Sequence, residues 1–199
     1  LKPLPSPASY KAETLSFGLT PFVSCPAFEG YVIEDGASIV RTEDGTLLAG
    51  GGKVLVSLPR DFKGTSYTVP DGVETISDYL FYKNTTITSV TLPASLKKIG
   101  TAAFQGCTKL TSIALPDGFT TLGEHAFDGC SGLKTVTFGQ SLTAVPAYAF
   151  SNCSALTAVD LPATVETVGD YAFRGCAKAT ALSLKEGLTS IGSNAFYGW

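Results

Sequence analysis

Residues Thr91–Ile113 read TLPASLKKIGTAAFQGCTKLTSI, and the same 23-residue pattern follows them without insertion. Units starting at residues 68, 91, 114, 137 and 160 are complete, and a sixth starting at 183 is shortened. Apolar residues recur at fixed places within each unit. The second place holds Val69, Leu92, Leu115, Phe138, Leu161 and Leu184, and the sixth holds Val73, Leu96, Phe119, Leu142, Val165 and Leu188. The ninth holds Ile76, Ile99, Leu122, Val145, Val168 and Ile191, and the fourteenth is phenylalanine in all six units, from Phe81 to Phe196. One unit cannot bury such a set by itself, so the units must stack, each covering the next.

The punctuation within a unit predicts its shape. Segments such as TSVTLP and TSIALP alternate apolar with small or β-branched residues and stop at proline, the pattern of a short half-buried strand. Stacked units place these strands in parallel about 4.8 Å apart. Asp78, Thr101, Asp170 or Ser193 stands just before the Ala-Phe segment, and Gly106, Gly129 or Gly175 stands just after it. A capping side chain followed by glycine predicts a short 3₁₀ or helical turn on the opposite side. The expected fold is an α/β-type repeat solenoid, mostly β and right-handed, in 23-residue coils, with a parallel sheet on one face and brief turns on the other.

Upstream, ASIVRTEDGTLLAGGGKVLVSLP alternates like strands and is broken at Asp44-Gly45 and at Gly50 to Gly52, both turn signals. Residues 31–67 are therefore expected to form a degenerate hairpin unit capping the solenoid of residues 68–199. Residues 1–30 read as an N-terminal leader or cap.

The chain has 199 residues, 44% of them apolar, and a formal charge of -3. It is long enough for a sizeable core, and it lacks the basic stripe of a nucleic-acid binder. No apolar run approaches the roughly 20 residues of a membrane-spanning helix. There is no methionine, so the chain is expected to have begun further upstream, where an export signal would lie.

Taken together, the LP, IG and AFxGC elements at one spacing resemble the BspA-like, or treponemal, class of bacterial leucine-rich repeats, and the resemblance covers Thr68 to Trp199. Members are typically secreted or surface-attached proteins of host-associated bacteria and protists, and several act as adhesins. The resemblance therefore implies an extracellular or surface-attached binding module with no cofactor. Its partners would be proteins, among them host extracellular matrix or mucosal ones, or glycans, with no nucleic acid and no membrane span. A monomer is expected. A structural spacer presenting another domain, or a glycan-binding module, is the alternative. The chain departs from the pattern at Leu80, Asn84, Gly139, Pro146, Ala179 and Trp199.

Cys107, Cys130, Cys153 and Cys176 share the seventeenth place, and Cys25 lies outside the array. A row of equivalent sulfurs cannot converge on one zinc at about 2.3 Å. Disulfides between adjacent coils fit the separation but not the parallel side-chain vectors. The expected role is that of buried thiols with weak S–H bonds to backbone. The single histidine, His125, shares its place with tyrosines and is expected on the surface, away from Cys130. No catalytic or metal-binding residue is therefore assigned, and the protein is not expected to be an enzyme.

Candidate ligand-binding residues lie in two strips. Tyr79, His125, Tyr148 and Tyr171 occupy the twelfth place, where stacked aromatics could hold a protein loop or a sugar ring, or could simply shield the core. Thr137 and Asp160 stand in the small, neutral strip at the start of each unit.

Overall fold

The structure, a computed structural model, describes residues 30–32, 38–59 and 62–199. The expected leader, residues 1–30, lies outside the described residues except for Gly30, and Cys25 lies outside them too. The described chain falls into two units, with the boundary between Phe62 and Lys63.

The first unit is an antiparallel meander of four strands: β1 (Gly30–Val32), β2 (Ser38–Arg41), β3 (Leu47–Ala49) and β4 (Val54–Ser57). Its turns fall where the glycines predict them. Gly45 at φ 88° closes the β2–β3 turn, where the Gly45 amide donates to the Thr42 carbonyl. Buried Leu47 and Val56 pack with Ala49 and Val54.

The second unit is the solenoid, and each coil contributes two short strands. The first series spans the unit boundaries: β5 (Ser66–Thr68), β7 (Ser89–Thr91), β9 (Ser112–Ala114), β11 (Thr135–Thr137), β13 (Ala158–Asp160) and β15 (Ala181–Ser183). The second series holds the ninth place: β6 (Thr75–Ile76), β8 (Lys98–Ile99), β10 (Thr121–Leu122), β12 (Ala144–Val145), β14 (Thr167–Val168) and β16 (Ser190–Ile191). Pairing is parallel and in repeat register, Tyr67 against Val90 and Ile76 against Ile99.

The opposite side differs from the sequence expectation. Among the described residues there is no helix, and the Ala-Phe segment is a run of turns. Amides alternate in use along it. In the third coil, Ala126, Asp128 and Cys130 donate three residues back to Gly123, His125 and Phe127. The amides between them, His125, Phe127 and Gly129, donate to Ala147, Ala149 and Ser151 of the next coil. A 3₁₀ helix needs every amide turned inward, and here every second one is spent on the neighbour. The residues expected as helix caps do other work. Asp78 accepts from the Thr101 amide at 2.8 Å and Asp170 from the Ser193 amide at 2.6 Å, each one coil further on.

The core is the set of recurrent apolar places. Phe81, Phe104, Phe127, Phe150, Phe173 and Phe196 form one continuous parallel stack, with successive ring centroids 4.6 to 5.6 Å apart. Each buried aromatic contributes a few kcal/mol of burial, with about 0.5–1.5 kcal/mol more from ring contact. In the last coil, Leu184 is 40% and Ile191 49% exposed, whereas Leu161 and Val168, their equivalents one coil earlier, are each 2% exposed.

The fourth coil interrupts both strand series. β10 does not pair with β12, nor β11 with β13. At the tenth place Gly100, Gly123, Gly169 and Gly192 each donate an amide to the preceding coil, but Pro146 has none to give. The bonds that the Thr143 and Ala144 amides would make to Thr120 are missing as well, although the corresponding amides of Lys98, Thr121 and Ser190 are bonded; in the fifth coil the Glu166 amide reaches Thr143 and the Thr167 amide makes no such bond. At the coil's first corner, a Cβ added to Gly139 would lie 1.9 Å from the Pro116 carbonyl oxygen, so the fourth coil is seated against the third in a way only glycine allows. Amide hydrogen exchange measured residue by residue should therefore show Ala144 exchanging faster than Lys98, Thr121 and Ser190. Equal protection at all four sites would contradict the interruption.

Candidate functional site

The twelfth place has a backbone property that the sequence conceals. Tyr79, Ala102, His125, Tyr148, Tyr171 and Asn194 all sit at φ between 52° and 58°. For residues other than glycine this left-handed region costs roughly 1–2 kcal/mol. Because the conformation recurs in every coil, it belongs to the fold. In three adjacent coils the side chains at this place, those of His125, Tyr148 and Tyr171, lie one above another on the flank of the solenoid, while Ala102 is buried.

Three of the four candidates at that place meet. His125 stacks on Tyr148 with centroids 4.6 Å apart and planes within 8°, and Tyr148 stacks on Tyr171 at 5.0 Å and 14°. All three are half-buried. Tyr79 is separated from them by Ala102 and packs edge-on against Tyr82, with centroids 5.8 Å apart, while Lys83 Nζ lies 5.0 Å from the Tyr82 ring centre. The other two candidates are elsewhere. Thr137 and Asp160 are exposed on β11 and β13, and Asp160 pairs with Lys185 Nζ at 2.8 Å. The contact with Lys185 holds the Asp160 carboxyl below its usual range.

Sequence reasoning missed the polar group beneath the stack. Asp128 Oδ2 contacts His125 Nδ1 at 3.2 Å and accepts from Gln105 Nε2 at 3.0 Å, while its Oδ1 accepts from Asn152 Nδ2 at 3.3 Å. A signal was available in Asn152, which holds a place that is glycine in four other coils and lies at φ 57°. Asparagine is a usual substitute for glycine in that region. At the other end, the Arg174 guanidinium carbon lies 5.7 Å from the Tyr171 ring centre.

The four cysteines of the array form no site on this flank. All four are free and buried. Each thiol donates to the phenylalanine carbonyl 26 residues back: Cys107 to Phe81 and Cys130 to Phe104 at 3.0 Å, Cys153 to Phe127 at 3.3 Å, and Cys176 to Phe150 at 3.4 Å. Trp199 repeats the contact with its indole N–H, 2.9 Å from the Phe173 carbonyl. Burial pushes the Cys107 and Cys176 thiols up to about 12, and those of Cys130 and Cys153 well above the ordinary thiol value. His125 is thus engaged with Asp128 while Cys130 points into the core, so the two do not form a nucleophile and base. Among the described residues no cluster of His, Cys, Asp and Glu could hold a metal ion, and no helix is long and apolar enough to cross a membrane.

Two measurements check this geometry. At an ordinary site alanine is better tolerated than glycine, but at Tyr148 the order should invert. Both variants lose the stacking contacts, and only Tyr148→Gly relieves the left-handed strain, so it should be about 1 kcal/mol more stable than Tyr148→Ala in urea denaturation. The thiols give a pH dependence. Their folded pKa lies above the unfolded value of about 9, so the unfolded chain loses protons first. Stability should hold below pH 9 and fall as pH rises towards 12, less steeply in Cys107→Ala and Cys176→Ala than in the parent chain.

Comparison with known proteins places this architecture. The profile of the BspA type leucine-rich repeat region, in six copies, matches residues 61–177 and 143–199. A leucine-rich repeat protein from Eubacterium ventriosum is similar in structure at 28% identity and a TM-score of 0.67, covering 80% of this chain and 49% of its own. A leucine rich cell surface protein from Faecalibacterium prausnitzii matches at 22% identity and a TM-score of 0.65, over 85% of this chain and 52% of its own, a likeness of fold. The leucine-rich repeat protein of T. pallidum is 31% identical with a TM-score of 0.55, over 80% of this chain and 85% of its own. The chain spans about half the length of the first two proteins. A search of curated proteins gives no match. Carrying six copies of the repeat across most of its length, the chain belongs to the BspA-type leucine-rich repeat family.

Proposed function

We propose that the protein is a non-catalytic interaction module, secreted or held at the cell surface, that binds host or microbial macromolecules through its turn flank. The observation that carries this reading is the half-exposed stack of His125, Tyr148 and Tyr171, with Arg174 at its edge. Tyrosine and arginine are the residues that most often anchor protein interfaces. The surroundings support it, because residues 137–159, the coil that carries Tyr148, contain no charged side chain. Depletion of charge at the centre with polar and charged residues around it is the composition of an interface core. The export reading draws on the family and on the F. prausnitzii neighbour, which is a cell surface protein by description.

A spacer role is favoured by one feature, the strand strip. Ser89, Thr91, Ser112, Ala114, Thr135 and Thr137 are exposed, small and neutral, and they offer no anchor for a partner.

The inverted tolerance at the twelfth place supplies a clean probe. The intact chain is immobilised and exposed to matrix, mucus and microbial extracts, beside a Tyr148→Gly/Tyr171→Gly variant and a Ser112→Arg/Thr135→Arg control, all confirmed folded. Capture lost in the glycine variant and retained in the strand variant is expected. Equal capture by all three, or none by the parent chain, would favour the spacer.

A further inference from the structure

Beside the aromatic stack, the fifteenth place carries opposite charges two coils apart, Asp128 and Arg174. At the His125 end stand Glu124, exposed, and Asp128, whose Oδ2 lies 3.2 Å from the imidazole. At the Tyr171 end, exposed Arg174 lies over the ring. Asp170, also at that end, already accepts the Ser193 amide through Oδ1. The coil between the two ends is uncharged.

Ring orientation narrows the partner. Both faces of Tyr148 are covered, one by His125 and the other by Tyr171, with planes within 14°. A sugar ring needs an open aromatic face, and this stack turns edges and polar tips outward. A segment lying along the stack therefore meets ring edges in the middle and a charge at each end. The two centroid steps, 4.6 and 5.0 Å, put the ends nearly 10 Å apart, which three residues of a polyproline II extended chain nearly span at about 3.1 Å each, with residues three apart on the same side.

The geometry points to a specific occupant: an extended segment of a partner protein carrying a basic residue and an acidic residue three positions apart, with uncharged residues between them. The basic side chain lies toward Glu124 and Asp128, and the acidic one toward Arg174. A second copy of this chain is a poorer occupant. Packed antiparallel through Tyr148, it would set Asp128 against Arg174 favourably but would also oppose Glu124 to Asp170, two carboxylates at the same place in their coils. This assignment rests on the turn flank being the binding surface.

The test uses the intact chain and two synthetic peptides of one composition, acetyl-Gly-Lys-Thr-Ser-Glu-Gly-amide and acetyl-Gly-Lys-Glu-Thr-Ser-Gly-amide. Binding is followed by NMR shifts of the Tyr148 and Tyr171 rings. The second peptide keeps its lysine in place and misplaces only its glutamate, so the first should bind about two- to five-fold more tightly, the upper part of the range that one exposed ion pair supplies, and the difference should shrink as salt is raised. Arg174→Glu should abolish the preference and favour a peptide with lysine at both positions. Equal binding of the two isomers overturns the proposal, as does tighter binding of maltohexaose at the same rings. A concentration-dependent dimer in sedimentation that Arg174→Glu dissolves would reassign the flank to a second copy. If extract capture still depends on Tyr148 and Tyr171 while the peptide isomers bind equally, the binding surface stands and only the partner assignment falls.

Discussion

The solenoid depends on one set of hydrogen bonds, those running along its axis from the turn side of each coil to the next. At each of the five junctions the amides at the twelfth, fourteenth and sixteenth places donate to the following coil, as Tyr79, Phe81 and Lys83 do to Thr101, Ala103 and Gln105. The strand series breaks at the fourth coil, but here His125, Phe127 and Gly129 still reach Ala147, Ala149 and Ser151. The phenylalanine stack lies in this segment, and its ring spacing follows from the backbone spacing. Backbone bonds fix how far apart coils lie, and the rings fill the space so defined.

The cysteines complete this arrangement. The carbonyl of Phe104 accepts the Cys107 amide of its own coil, and its second lone pair is reached by the Cys130 thiol of the next. A buried carbonyl is better satisfied twice than once, and a thiol is small and apolar enough to do this without a cavity. Trp199 keeps the bond with a much larger group, beside a Phe196 ring that is only half-buried. The rule at the seventeenth place is thus a donor aimed 26 residues back, of whatever size the surroundings admit.

Much of this was legible in the sequence, because the core obeys a period and hydrophobic periodicity is a strong signal. Phe81 to Phe196 and the buried cysteines fell where the repeat put them. The turn segment was misjudged for an identifiable reason. Asp170 followed by Gly175 has the composition of a capped helical turn, but an aspartate also satisfies an amide on a neighbouring coil, and only stacking decides which. The left-handed twelfth place was hidden because tyrosine, alanine and histidine stand where glycine would have announced it. Asp128 was overlooked since its partners Gln105, His125 and Asn152 come from three coils, a cluster that no local spacing reveals.

The twelfth place separates support from recognition. Its backbone amide carries an axial bond in each of the first five coils, whichever side chain is attached: Tyr79, Ala102, His125, Tyr148 and Tyr171 donate alike. The side chain can therefore change from the methyl group of Ala102 to the phenol of Tyr148 without altering the ladder, and it contributes through ring contacts and, at His125, through the contact with Asp128. The fold keeps paying the left-handed strain at a place where glycine would remove it, and three adjacent coils recover part of that strain through the His125–Tyr148–Tyr171 contacts. A surface whose side chains are decoupled from the scaffold's hydrogen bonds can vary in composition while the scaffold persists. The strand strip lacks that freedom, because its pairing already restricts it to residues that fit a parallel ladder.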